Sequence, residues 1–426
     1  MKQRYDVVVV GAGSAGSSAA ITAARLGAHT LLIDRMPFLG GTSTAVLDTF
    51  YAFFTPGQRA RRVVGGIGWE VVERLKAVGM AFERPNTYGA GTGVTYDQEV
   101  LKVLWEELAE EASIEVLLHS WVTGVEQHDG QATGVRMWNK GGESRVAAGV
   151  IIDASGDADV CAMAGVHYED ARTTPNLQSL STIFRVANVD IEKAAALPKT
   201  ELWAMMRGAA ASGEYRLPRL EGSWHRTPHP GVVTVHMTRI PNVDATDPEQ
   251  LTHAEIEGRR QVREYHRFLR DKVPGFERSV LVASSPAIGV RESRRVIGDY
   301  RLTRDDVLDA RRFDDEIALC GAPIEDHAAG PDTRWTYVPE GGVYGIPYGC
   351  LLPAGIDGLL VAGRCFSATH DAHASARSMA TCMAMGEAAG TAAALATVAG
   401  KLPRQLDAAA VRECLVKRGA LLNPLD

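Results

Sequence analysis

The chain has 426 residues, enough for two or three structural units with a large apolar core. Its 45 basic and 52 acidic residues leave a formal charge of −7 with no long block of one sign, which argues against a nucleic-acid footprint or a membrane-surface patch. The six cysteines are scattered and never form Cys-x-x-Cys, which removes the usual iron–sulfur and zinc spacings and the adjacent redox pair of a disulfide reductase, and a reducing cytoplasm is the expected setting.

Met1-Lys2-Gln3-Arg4 followed by an apolar run superficially suggests a signal peptide. The run is short, however, and passes straight into a glycine turn, so Tyr5 to Val10 reads as a buried parallel strand. Gly11-Ala12-Gly13-Ser14-Ala15-Gly16 then opens a small-residue helix to Leu26, and Thr30 to Ile33 forms a second buried strand ending in Asp34. In this strand–turn–helix–strand context Gly11 permits the tight turn, Gly13 lets a pyrophosphate approach the backbone, and Gly16 lets helix and strand pack closely. The helix N-terminus offers amides and a positive dipole end to phosphates, and Asp34 is placed for a ribose. A bound dinucleotide is therefore expected.

Gly40-Gly41-Thr42-Ser43-Thr44 follows, where a nicotinamide enzyme would continue with another strand and helix. This second glycine turn suits a longer cofactor, with an ordinary loop as the alternative. Gly66 to Val78 and Asp97 to Ala112 have helical spacing, with Asp97 as N-cap. Strands at Ile114 to His119, Trp121 to Glu126, Gly134 to Trp138 and Val146 to Ile152 are separated by turns at Asp129-Gly130 and Gly141-Gly142. A three-stranded excursion that returns through Asp153-Ala154-Ser155-Gly156-Asp157 is characteristic of a flavin domain. Gly89-Ala90-Gly91-Thr92-Gly93 follows no strand and reads as a loop, so no second dinucleotide turn is visible.

From Tyr168 to about Tyr344 the texture changes to an α+β unit, with a strand at Val232 to Met237, in which His236 reads as a packed core histidine, and an Arg-rich helix from Thr252 to Lys272. Within it, Gly289-Val290-Arg291-Glu292-Ser293-Arg294-Arg295 is either an anion site or a buried Arg–Glu network bracing the domain junction. The return carries a strand ending in Gly363-Arg364, the segment Thr369 to Met379, and a core helix from Ala380 to Ala399 in which Gly386 and Gly390 permit close packing. No uninterrupted apolar run is long enough to span a bilayer. The expected architecture is α/β: a Rossmann-like domain over residues 1–167 and 345–426, with a parallel sheet and an inserted β excursion, and a substrate or cap domain over 168–344.

With these residues in view the chain resembles the FAD-dependent oxidoreductase family of glutathione-reductase-type flavin fold, which includes proteins akin to the heterodisulfide reductase flavin subunit. The resemblance rests on the N-terminal turn, the Gly40-Gly41-Thr42 loop, the Ile152 to Asp157 turn, the Gly289 to Arg295 segment, and the block Val361-Ala362-Gly363-Arg364, Ser375-x-Arg377-x-Met379 and Gly386-x-Ala388-Ala389-Gly390. It implies FAD contacts from Gly11, Gly13, Ser14, Ala15, Gly16, Asp34 and Arg35, and from Gly40, Gly41, Thr42 and Thr44. Further contacts are implied at Val122, Ser155, Gly156 and Asp157, and at Gly363, Arg364, Ser378 and Met379. There are departures: Asp34 and Ser155 stand where Glu and Thr are usual, Ala380 where proline is frequent, and the iron–sulfur cysteines of the heterodisulfide branch are absent. No histidine lies between Gly40 and Thr44, where related enzymes carry a covalent flavin link, so non-covalent FAD is expected.

A helix starting near Ser378 would aim its amides at the flavin's pyrimidine edge. His370, His373 and Arg377 fall on one helical face, as acid–base groups and a carboxylate anchor; capping or cofactor contact, and metal binding by His370, Asp371 and His373, are the alternatives, and no metal is favoured. Tyr344 and Tyr348 are further pocket candidates. The expected function is hydride transfer at flavin N5 to or from a small organic substrate at a C–O, C–N or C–C bond. A flavin monooxygenase using O2 and an electron-transfer subunit are the alternatives. O2, NAD(P)H or a separate electron carrier is open as redox partner, and a homo-oligomer is compatible with the sequence.

Overall fold

The computed structural model describes residues 2–86, 88–174, 177–327 and 330–425. Strand β1 (Arg4–Val10) is buried along its apolar residues and leads through the glycine turn into helix α1 (Ser14–Arg25) and strand β2 (Thr30–Ile33). Helix α2 (Gly66–Ala77) and helix α3 (Gln98–Glu111) follow, the latter capped by Asp97, whose carboxylate accepts from the Glu99 and Val100 amides. Strand β3 (Glu115–Leu117) completes the parallel edge, and β4 (Trp121–His128), β5 (Gln131–Asn139) and β6 (Gly142–Asp153) form the antiparallel excursion.

The sheet runs β3-β2-β1-β6-β5-β4. Strand β6 serves two roles: its first half pairs antiparallel with β5, and from Ala147 onward it lies parallel to β1. The excursion is therefore an extension of the main sheet.

The second unit is a four-stranded sheet built from β7 (Phe184–Ala187), β8 (Ser223–Arg226), β9 (Val233–His236) and β10 (Val280–Ser284), in the order β8-β9-β7-β10. Helices α4 (Lys199–Ala211) and α5 (Pro248–Lys272) cover it, and their apolar faces share one core with Phe184, Val233 and Val235. The sequence places the start of α5 at Thr252; the structure starts it at Pro248, because Asp247 caps the first amides and proline suits the first helical position.

The expected boundary at Tyr344 has no counterpart in the packing. Leu302, Val307, Ile317, Leu319 and Ile346 share the core of the N-terminal unit, so the chain rejoins that core well before Tyr344.

Strand β11 (Leu359–Val361) pairs parallel with β6, followed by α6 (His370–Ala376) and α7 (Met379–Ala399). Helix α7 has the length and composition of a membrane span, yet most of it is buried inside the protein. It lies backbone to backbone on α1: a Cβ at Gly386 would stand 2.1 Å from the Ala15 carbonyl oxygen, and one at Gly390 2.2 Å from that of Ala19.

Candidate functional site

The glycine turn is fixed by its own packing. Gly11 holds φ +96°, and a Cβ there would meet the Ala154 carbonyl oxygen at 2.4 Å; a Cβ at Gly16 would stand 1.7 Å from the Gly11 carbonyl oxygen. Gly13 differs. A Cβ there meets nothing within 4 Å and φ is an ordinary −67°, so this glycine leaves room for something outside the protein's own packing. Asp34 accepts hydrogen bonds from the Ala12 amide at 2.5 Å and the Met36 amide at 2.7 Å. Burial pushes its carboxyl pKa up against those two amides, and each oxygen keeps a lone pair for a further donor.

The Gly40-Gly41 loop lies on this turn. The Gly40 amide donates to the Ala12 carbonyl at 2.7 Å, and a Cβ at Gly41 would press on the Gly13 backbone at 2.7 Å. Asp153, fully buried, accepts from the Ser155 hydroxyl at 2.6 Å and the Cys161 amide at 2.9 Å, which sets the shape of the 153–157 turn. Asp157 ties that turn to the return strand through Arg364 at 3.0 Å and to the second unit through the Ser293 hydroxyl at 2.7 Å.

One cavity joins these pieces. Gly11, Gly13, Ser14, Ala15, Asp34 and Arg35 line it, as do Gly41 and Thr42, Ser155, Gly156 and Asp157, Gly363 and Arg364, and Arg377, Ser378 and Met379. Three predicted contacts act behind the wall: Gly16 and Gly40 pack the turn, and Thr44 donates to the Leu39 carbonyl at 2.6 Å. Val122 sits on β4 and packs on the far side of the sheet with the cluster around Tyr5 and Val8. The residues at the turn fit the FAD that the resemblance implies: an open approach at Gly13, an acid with spare lone pairs, and the N-terminus of a 21-residue helix at the cavity's other end.

The same cavity is also lined by residues of the second unit. Arg291 lines it, whereas Glu292 and Arg295 form a buried ion pair at 2.9 Å, so the Gly289 to Arg295 segment splits between its two readings. Arg377 Nη2 lies 4.0 Å from Glu325, whose other oxygen holds His327 at 2.9 Å. Despite burial, the charges of His327, Arg377 and Arg291 hold the Glu325 carboxyl well below its usual range. Burial drives the pKa of His225 well down and that of His236 to about 4, so both imidazoles are neutral at pH 7.

His236 is not the packed core histidine that its strand suggests. It lines the cavity with His225, their rings at 4.8 Å, and its Nδ1 faces Asp48 at 3.4 Å. Tyr51 completes this group: its hydroxyl accepts from Arg84 at 2.9 Å and lies 3.4 Å from His225 Nε2.

The histidines expected above the cofactor lie elsewhere. His373 is fully buried, its Nε2 2.7 Å from the Arg364 carbonyl and its ring stacked on Phe366; burial takes its pKa to about 3. His370 Nδ1 meets Glu292 at 2.9 Å, and that carboxylate overcomes burial to raise the His370 pKa. Asp371 faces Arg304 at 3.4 Å, so His370, Asp371 and His373 diverge rather than converge on an ion. None of these three residues lines the cavity, whereas Arg377 does. Tyr344 and Tyr348 are buried as well, bonded to Ser375 at 2.6 Å and to the Pro403 carbonyl at 2.9 Å.

Sequence reasoning missed Tyr51, Lys199, Arg219, His225 and His327: three of them come from the second unit, and His327 follows Ile324 of the first core, where no motif announces a face. The aromatic run around Tyr51 was the one available signal.

A family model described as FAD dependent oxidoreductase matches residues 6–415. Among curated proteins, digeranylgeranylglycerophospholipid reductase 1 of Methanococcoides burtonii is 26% identical over 203 residues, covering 45% of this chain and 47% of that protein. Probable fumarate reductase Ifc3 of Shewanella frigidimarina is 39% identical over 71 residues, covering 17% of this chain and 12% of that protein. The chain spans about half the length of the first relatives it matches. Among solved structures, a geranylgeranyl bacteriochlorophyll reductase-like protein from Thermoplasma acidophilum has a TM-score of 0.51 at 15% identity, covering 97% of this chain and 83% of that one, a likeness of fold.

Proposed function

The chain belongs to the FAD dependent oxidoreductase family, and from that premise we propose that it binds FAD non-covalently and transfers hydride to or from a small organic substrate at a C–O, C–N or C–C bond. The observation that carries this reading is the single cavity that joins the glycine turn at Gly13 to the charged compartment at Arg291, Arg377 and Tyr51. Bound flavin supplies the two-electron chemistry.

The chain's own residues do the rest. Gly13 leaves the turn open to phosphate oxygens, and Asp34 presents acceptors to ribose hydroxyls. The first amides of α7, from Met379 on, place fixed partial positive charge at the cavity where negative charge develops. Arg377, mostly buried and only loosely held by Glu325, orients the substrate. Tyr51 carries the proton: Arg84 donates to its oxygen, which leaves the hydroxyl hydrogen free for His225 or for the substrate. The second sheet and its helices roof the compartment and limit its water.

The test is anaerobic photoreduction of the purified flavoprotein followed by re-admission of air. Bleaching and recovery within seconds marks an oxygen-using enzyme; slow recovery marks a dehydrogenase or reductase that hands electrons to a nicotinamide or protein partner. A protein that holds flavin but turns over no small organic substrate with any of these acceptors refutes the proposal.

A further inference from the structure

The roofed end of the cavity carries more positive charge than the protein itself neutralises. Lys199, Arg219, Arg291 and Arg377 face it against three carboxylates, Asp48, Glu221 and Glu325. Those carboxylates have other partners: Glu325 holds His327 at 2.9 Å and reaches Arg377 only at 4.0 Å, Glu221 meets Arg207 at 3.5 Å, and Asp48 meets His236 at 3.4 Å.

The cations are correspondingly under-paired. Among the described residues Lys199 has no carboxylate in ion-pair reach; its ammonium rests over the rings of Tyr88 and Trp203, 4.7 and 5.1 Å from their centroids. The Nε atoms of Arg219 and Arg377 are buried without a partner. Arg291 spends Nη1 on the Ser179 carbonyl at 2.6 Å and the Ser181 hydroxyl at 2.7 Å, and burial, together with the Arg377 charge, disfavours its charged form. Lys199 is exposed, whereas Arg219, Arg291 and Arg377 are partly buried, and partly buried cations beside like charges are relieved by an arriving anion.

The walls of this compartment are aromatic. Tyr88 stands 6.0 Å from both Trp203 and Trp335, and a Cβ at Gly89 would meet the Trp335 ring at 3.2 Å, so the loop backbone is pressed against the indole.

We propose that the substrate of the reaction inferred above, on which this inference rests, is an organic monocarboxylate with an aromatic body. The carboxylate sits between Arg291 and Arg377, and the ring lies against Tyr88, Trp203 and Trp335. The cationic heads outnumber the carboxylates that line the compartment, which fits an anionic ligand. Planar guanidinium groups suit a carboxylate's two oxygens.

The FAD-loaded protein is titrated with phenylacetate, with its uncharged analogue phenylacetamide and with the aliphatic dianion succinate, while tryptophan fluorescence and flavin absorbance are followed. Phenylacetate quenches fluorescence saturably and binds roughly tenfold or more tightly than either comparator. Arg291→Met weakens phenylacetate by roughly tenfold or more with bound FAD per chain unchanged. Equal binding of the amide, tighter binding of succinate, or parent-like binding by Arg291→Met overturns the inference. Should Arg291→Met not fold, Lys199→Gln and the ligand comparison on the unaltered protein decide it. A protein that discriminates acid from amide but never takes up flavin keeps the anion site and refutes the flavin reading; a flavin-loaded protein that does not discriminate does the reverse.

Discussion

Gly13→Ala separates cofactor binding from folding more cleanly than any other change at the turn. Its Cβ would meet no protein atom within 4 Å, and φ of −67° is open to every residue. Removing a glycine from the unfolded chain stabilises by about 0.4–1 kcal/mol. As the N-cap of α1, alanine is poorer than glycine by a similar amount, roughly 0.5–1 kcal/mol. The two effects cancel, so the urea midpoint of the flavin-free protein stays within about 1 kcal/mol of its parent. Gly16→Ala is the contrast: its Cβ would stand 1.7 Å from the Gly11 carbonyl oxygen, and the backbone shift this forces costs about 1–3 kcal/mol or more. The assay pairs urea denaturation of flavin-free protein with flavin bound per chain after reconstitution. Gly13→Ala weakens flavin retention and Gly13→Val abolishes it, both on a normally folded chain. Normal retention by Gly13→Val, or equal destabilisation by Gly13→Ala and Gly16→Ala, refutes the assignment of the open approach.

Glu387, buried on α7 against the Ile67 amide, has a carboxyl pushed by burial from 4.5 to about 8. The folded state therefore holds its proton more tightly than the unfolded one, and stability present below pH 4.5 is lost as pH rises toward 8, by about 2–3 kcal/mol between pH 5.5 and 7.5. Glu387→Gln removes that share of the pH dependence in urea denaturation; an unchanged slope contradicts it. His373→Ala destabilises the fold by about 1–3 kcal/mol, through a lost bond to the Arg364 carbonyl and a cavity beside Phe366, and leaves turnover per folded molecule near the parent value. Lost turnover on a stable chain would return His373 to the chemistry. Tyr51→Phe lowers kcat by about 100-fold or more with flavin retained, as loss of a positioned acid does; an unchanged kcat removes Tyr51 from proton transfer.

The nucleotide half of the site was legible because its residues constrain one another locally. Gly11, Gly16 and Gly41 each lie so close to a neighbouring stretch of backbone that any side chain would collide with it, and such close approaches leave glycine at a fixed spacing. The same holds for Gly386 and Gly390 against α1. The substrate half was not legible, because its side chains converge from β8, β9, α4 and the neighbourhood of Glu325 and Trp335, and no spacing along one segment records a meeting between segments. The Gly289 to Arg295 segment shows the limit: its charges were evident, but that Arg291 turns to the cavity while Glu292 and Arg295 turn inward depends on what surrounds them. His373 misled because helical spacing put it in phase with Arg377, and spacing does not record that His373 packs against Phe366 and the Arg364 carbonyl while Arg377, at the helix end, lines the cavity.

One FAD is proposed to fill the part of the cavity lined by Gly13, Asp34, Gly363 and Met379. The most direct measurement is the flavin content of the purified protein, reconstituted with FAD if required, then denatured to test for release. The expected result is one FAD per chain, released intact into the supernatant. A chain that binds no flavin after reconstitution, or that keeps flavin covalently after denaturation, contradicts it.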